Sequence, residues 1–129
     1  MSGRFLLDTN IVIARFSGEV AIQERILQAD EIFLCSIVLG ELYFGARKSG
    51  RVVENTERID LMAAGNTILP CDAETALQYG IIKHQLREKG RPIPENDIWI
   101  AAIARQHDLI LATRDDHFTT VEDLQWEMW

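Results

Sequence analysis

Four acidic positions have neighbours that suit shared chemistry: Asp8, Glu41, Asp97 and the Asp115-Asp116 pair. Asp8 follows the apolar run Phe5-Leu6-Leu7 at once, and Asp115 follows another such run after Thr113-Arg114. Glu41 and Asp97 fall within helical spacing. Glu41 lies on a ridge with Ile37 and Gly45, outside any charged stripe, which is odd for a solvated glutamate. The i+4 neighbour of Asp97 is Ala101, small enough to leave room for a ligand above it.

Were these carboxylates to meet, electrostatics would limit their use. Two unit charges ~4 Å apart repel by about 1 kcal/mol in water and ~4 kcal/mol at the effective dielectric of a protein surface. A cluster of four must therefore take up protons or hold cations. Oxygen-only ligands select hard ions, which favours Mg²⁺, with Mn²⁺ able to substitute. Zinc fits poorly, because His84, His107 and His117 have no ligand spacing and both thiols read as buried. Carboxylate-held Mg²⁺ is a common device for phosphoryl chemistry. Each acid also has an ordinary role open to it. Asp8 or Asn10 could cap the next helix, and Asp97 or Glu95 could favour a helix dipole for only ~0.3–1 kcal/mol.

The elements that would position these acids follow from the hydrophobic pattern. Short apolar runs at residues 5–7, 32–35, 67–69 and 109–112 alternate with longer amphipathic segments. That alternation is the pattern of a parallel α/β sheet flanked by helices. Helices are expected over residues 19–29, over 37–49 with Ser36 as N-cap, over 52–64, over 73–89 with Asp72 as cap, and from Pro94 to about 107. Ile37, Val38, Leu42 and Tyr43 would face the core. Residues 121–129 could add one edge strand. In open sheets of this kind, ligands bind at the carboxyl ends of the strands. Asp8 and Asp115 stand at such ends.

Bulk properties narrow the partners. The 129 residues, with no repeat or linker, read as a single domain over 1–129. Cys35 and Cys71 form no CxxC pair and suit a reducing cytoplasm, no signal peptide is evident, and no apolar stretch approaches membrane-spanning length. A net charge of −7 argues against non-specific coating of nucleic acid, so contact with it must be local, metal-assisted or helped by a partner. Arg47, Lys48 and Arg51, with Lys83, Arg87, Lys89 and Arg91, are candidates to guide the phosphates of such a nucleic acid. For any one of them, a solvated helix end is the ordinary reading.

LLDTNIVI, SIVLGELYFGARKS, ENDIWIAAIA and LILATRDDHF, in that order, resemble the PIN domain, and most closely the VapC-type toxins of bacterial toxin–antitoxin pairs. The resemblance covers essentially the whole chain. It implies a PIN-like three-layer fold with a parallel sheet of four to five strands, and Mg²⁺-dependent endoribonuclease activity. Asp8, Glu41, Asp97 and Asp115 match the family's acids, with Thr9, Ser36 and Asn96 as supporting polar positions. Asp115 is preferred over Asp116, which would be solvated or support the site. Asp8 and Asp97 would be the principal metal ligands, with Glu41 and Asp115 completing the site. The resemblance further implies a VapB-type antitoxin partner, and a homodimer formed through residues 43–51 and 52–64.

Two rivals remain on the residues alone. A phosphotransfer domain could use Asp8 as phosphoacceptor, but Asn10 stands where a second aspartate would be wanted. A PIN-like scaffold that only binds partners would be expected to have lost carboxylates, and this chain retains all four.

Overall fold

A computed structural model describes residues 3–129. Five strands, β1 (Arg4–Leu7), β2 (Glu31–Cys35), β3 (Thr67–Leu69), β4 (Ile110–Thr113) and β5 (Trp126–Met128), form one sheet in the order β3-β2-β1-β4-β5. Every pairing is parallel. The central strands read as unbroken apolar runs because both faces are covered: Phe5, Leu6, Leu7, Phe33, Leu34, Leu111 and Ala112 are all buried. The expected edge strand is β5, paired to β4 with Leu111 opposite Trp126.

Helices α1 (Thr9–Phe16) and α2 (Val20–Gln28) cross from β1 to β2, and α3 (Ser36–Lys48) and α4 (Val52–Ala64) from β2 to β3. Helices α5 (Ala73–Glu88) and α6 (Glu95–Gln106) lead from β3 to β4. A 3-10 turn, Asp116–Thr120, precedes β5. Helix α6 buries Ile98 and the whole of Ile100-Ala101-Ala102-Ile103-Ala104. A helix apolar on nearly all sides belongs inside, and α6 packs on α5, α3 and β4. Among the described residues, no helix is long and apolar enough to cross a membrane.

Local chemistry fixes the helix ends. Asp72 closes a capping box on α5: its Oδ1 accepts from Thr75 N at 3.1 Å, while Thr75 Oγ1 accepts from Asp72 N at 3.0 Å. Gln106 Nε2 adds a third tie to the same oxygen at 2.8 Å, joining the start of α5 to the end of α6. Asp72→Ala is expected to lower Tm by several degrees with the melting still cooperative. At its other end α5 stops in a Schellman motif, with Gly90 N on Arg87 O and Arg91 N on Leu86 O. Gly90 supplies the required left-handed backbone at φ +63°.

Several expectations need correction. Ser36 does not cap α3; it is the first helical residue, and Cys35 has the extended cap backbone. Strand β2 runs straight into the helix, so the last strand residue must occupy the cap. Pro94 likewise takes the cap position of α6, with φ −55° and ψ 144°. Cys71 is exposed, because it follows β3 at the sheet's edge. Cys35 is buried, and burial pushes its thiol up to about 12. Val38 and Leu42 are buried as expected, whereas Ile37 and Tyr43 are half-buried at the core's margin.

Candidate functional site

The strand order reverses at β1: β2 and β3 lie to one side of it, β4 and β5 to the other. The carboxyl ends of β1 and β4 meet there, the place where an open α/β sheet leaves a crevice. A cleft of about 580 Å³ opens at this edge, lined by Asp8, Thr9, Glu41, Asn96, Asp97 and Asp115 among others. All four expected acids therefore reach one cavity from four different elements. Among the described residues, no basic side chain lines it.

Asp8 is both a cap and a wall of the cleft. Its backbone N–H donates to Ala112 O at 2.9 Å, one residue beyond the β1–β4 ladder. Its Oδ1 accepts from Thr9 N at 2.8 Å, capping α1. Its Oδ2 accepts from the Thr113 hydroxyl at 2.7 Å, and both residues are buried. Thr113 Oγ1 also accepts from Asp115 N at 3.0 Å. One buried hydroxyl thus ties the first acid to the backbone of the fourth.

Glu41 is reached through Thr9, whose hydroxyl donates to Glu41 Oε1 at 3.1 Å. Asp97 sits in the first turn of α6, where the helix dipole favours a negative charge. Burial pushes all three of these carboxyls above their usual range. For Asp8 the hydrogen bonds from Thr113 and Thr9 oppose that rise, and the charge of Asp115 adds to it. For Glu41 the Thr9 hydroxyl opposes the rise, and Asp8 and Asp97 add to it. For Asp97 the Asp8 charge raises the carboxyl further, while His117 pulls it down. Acids that raise one another across one cleft have the electrostatics of a cation site.

The doublet separates cleanly. Asp115 lines the cleft, whereas Asp116 is exposed and opens the 3-10 turn. Asn96 lines the cleft, and exposed Ser36 lies in a shallower depression beside Glu41 and Asn96. Arg47, Lys48, Arg51 and Arg87 are exposed and stand outside the cleft. Arg51 pairs with Glu54 at 3.5 Å, and Lys48 Nζ lies 4.4 Å from the centre of the Phe44 ring. Lys83 reaches the rim, 2.6 Å from Glu95 Oε1.

Three residues at the site escape a reading of spacing alone. Thr113 is one. Arg114 is another: its guanidinium makes a bidentate pair with Glu19, at 2.6 and 3.1 Å, and donates to Trp129 O. Its backbone N–H donates to Asn10 Oδ1 at 3.3 Å, so Asn10 braces the Asp115 loop. His117 is the third: its Nε2 lies 2.7 Å from Asp97 Oδ2. The available signal was the D-x-H spacing from Asp115.

A model of the PIN domain matches residues 5–124. The chain belongs to the PIN-domain family. Ribonuclease VapC2 of Haemophilus influenzae is 38% identical to it over 129 residues, covering 98% of both chains. The tRNA(fMet)-specific endonuclease VapC of Shigella flexneri is 34% identical, with the same coverage. Among solved structures, VapBC2 from Rickettsia felis bound to a promoter DNA fragment is similar at a TM-score of 0.90 and 27% identity. VapBC-1 from nontypeable Haemophilus influenzae gives 0.89 and 31%. In both comparisons 98% of each chain is covered. This PIN domain is an endoribonuclease, a hydrolase akin to the VapC ribonucleases. The phosphotransfer and scaffold readings fall with that assignment.

Proposed function

We propose that this PIN domain is the toxin of a VapBC-type toxin–antitoxin pair, and that it cleaves RNA in the cytoplasm with Mg²⁺ held by Asp8, Glu41, Asp97 and Asp115. The observation that supports this most directly is the convergence of those four carboxylates on one cleft at the sheet's switch point. The donor set fits the ion: every acid offers oxygen, and three of the carboxyls are raised by burial and by one another. When bound, Mg²⁺, or Mn²⁺ in its place, supplies the positive charge that neutralises the carboxylates and polarises the scissile phosphate.

The chain's own residues supply position. Thr113 and Thr9 fix both oxygens of Asp8, so that carboxylate enters the cleft without rotational freedom. Thr9 also fixes one oxygen of Glu41 and leaves the other free to orient the attacking water. Asp115 is set by its own N–H on Thr113, and no side chain is required as a covalent nucleophile.

The acidic cleft also explains how an antitoxin would work. A basic side chain inserted among Asp8, Glu41, Asp97 and Asp115 would take the place of the cation and exclude RNA. The same reading includes a homodimer formed through the α3–α4 region.

The test is cleavage of total RNA by purified, antitoxin-free protein, with cut sites mapped by end sequencing. Discrete cuts should appear with Mg²⁺, vanish with chelator and return when Mg²⁺ is restored. A folded protein that makes no cut with Mg²⁺, or cuts equally well in chelator, overturns the proposal.

A further inference from the structure

Asp97, Asp115 and His117 are the group of His, Cys, Asp and Glu side chains, among the described residues, whose ligand atoms come together; those atoms lie within 4.8 Å of one another. The imidazole does not come from the four-acid set, and its placement is specific. Its side chain is 31% exposed, yet its Nε2 is buried. That nitrogen lies 2.7 Å from Asp97 Oδ2 but makes no aligned hydrogen bond. A buried ring nitrogen beside one carboxylate, on a residue grouped with a second, offers the mixed nitrogen and oxygen donors a metal site needs.

The two carboxylates are free to complete it. Among the described residues, the Asp115 carboxylate accepts no hydrogen bond, and Asp97 has only the contact with His117. Asp8 differs, since both its oxygens are held by Thr9 and Thr113. The ring itself is held in place: the His117 carbonyl accepts from Thr120 Oγ1 at 2.8 Å, and the ring packs on Phe118, centroids 4.8 Å apart. Phe118 is fully buried, so the 3-10 turn that carries His117 is anchored in the core.

We propose that Asp97, Asp115 and His117 form a nitrogen-containing metal site at the wall of the cleft that takes a borderline transition ion, Zn²⁺ above all, in competition with Mg²⁺. The proposal rests on the reading that Asp97 and Asp115 serve Mg²⁺, and it adds a ligand that Mg²⁺ does not use. Imidazole suits Zn²⁺, while the small, hard Mg²⁺ prefers oxygen and keeps its waters. A Zn²⁺ ion held here would occupy two of the four carboxylates. RNA cleavage in Mg²⁺ would then fall as Zn²⁺ is added.

Calorimetric titration of the full chain with ZnCl₂ and, separately, MgCl₂ tests this directly, for wild type, His117→Ala and His117→Gln. Zn²⁺ binds almost any carboxylate site better than Mg²⁺ does, so the variants decide the matter. Both variants should lose at least about tenfold in Zn²⁺ affinity, the scale on which a shell partner counts. Mg²⁺ affinity should stay within about threefold, because oxygen ligands hold that ion. Co²⁺ bound to the wild type should show a d–d absorption band that weakens in both variants. Circular dichroism checks that each is folded.

Unchanged Zn²⁺ affinity in His117→Ala overturns the proposal. So does a His117→Gln variant that binds Zn²⁺ like wild type, since the amide could then replace the ring merely as a neighbour of Asp97. Failure of Mg²⁺ to bind the wild type would instead count against the Mg²⁺ reading. The Zn²⁺ comparison would still be decided by its own variants.

Discussion

Asp8→Asn should lower kcat/KM for RNA cleavage by about a thousandfold while the metal-free protein melts higher than wild type. The two effects have one cause. Asp8 is the most buried of the four acids, and desolvation is the chief reason its carboxyl lies above the usual range. Its charge is thus unfavourable to the metal-free fold and is kept for what it holds. Asparagine preserves the shape and can still cap α1 through its carbonyl oxygen on Thr9 N. The Thr113 hydroxyl can turn to accept from the new amide, because a hydroxyl both donates and accepts. What the variant loses is the negative charge needed for a cation. Steady-state cleavage and thermal melting in chelator measure the two signs together. A variant that loses activity and also melts lower would show that Asp8 acts through the fold, and one within tenfold of wild-type activity would remove it from the site.

Much of this arrangement is legible in the chain because its strands are covered on both faces. Phe5-Leu6-Leu7 and the run at residues 109–113 can be read as central strands without knowing their neighbours. Asp8 and Asp115 inherit their places from those strand ends. Asp72 is legible because capping is local, its partner Thr75 being three residues away. Contacts made across the fold are not legible. His117 reaches Asp97 only because β4 and the 3-10 turn bring residues twenty apart in sequence to 2.7 Å. Thr113 meets Asp8 across 105 positions.

The small errors have a physical pattern too. Ser36 and Pro94 miss their expected positions by one residue because a cap is defined by backbone dihedrals that neighbours set. Cys71 looks buried in an apolar run, yet β3 is an edge strand and leaves it open. Ile37 and Tyr43 fit the core-facing periodicity of α3, but both are only half-buried. Periodicity finds a helix; only packing chooses which of its apolar residues goes inside.

The second large effect is a pH-dependent gain in stability from the ion. In the metal-free fold Asp8, Glu41 and Asp97 all have carboxyls above their ordinary values of 3.8, 4.5 and 3.8. A raised acid favours the folded state while it is protonated. That contribution is complete below about pH 4, the unfolded carboxylate range, and is lost as pH rises through the folded values. Glu19, Asp72 and Glu95 act in the opposite sense, being lowered by Arg114, Thr75 and Lys83, but they lie at the surface where such pairs count for little. Mg²⁺ competes with protons for the raised acids, so it should stabilise most at neutral pH and least near pH 4.5. At a concentration a hundredfold above its Kd, the ion should add about 2.7 kcal/mol, on the order of 10 °C in Tm for a domain of this size. Melting scans with Mg²⁺ and with chelator, at pH 4.5 and pH 7.5, measure both slopes. Equal shifts at the two pH values would mean that the ion binds elsewhere, and so would a full shift retained by Asp8→Asn.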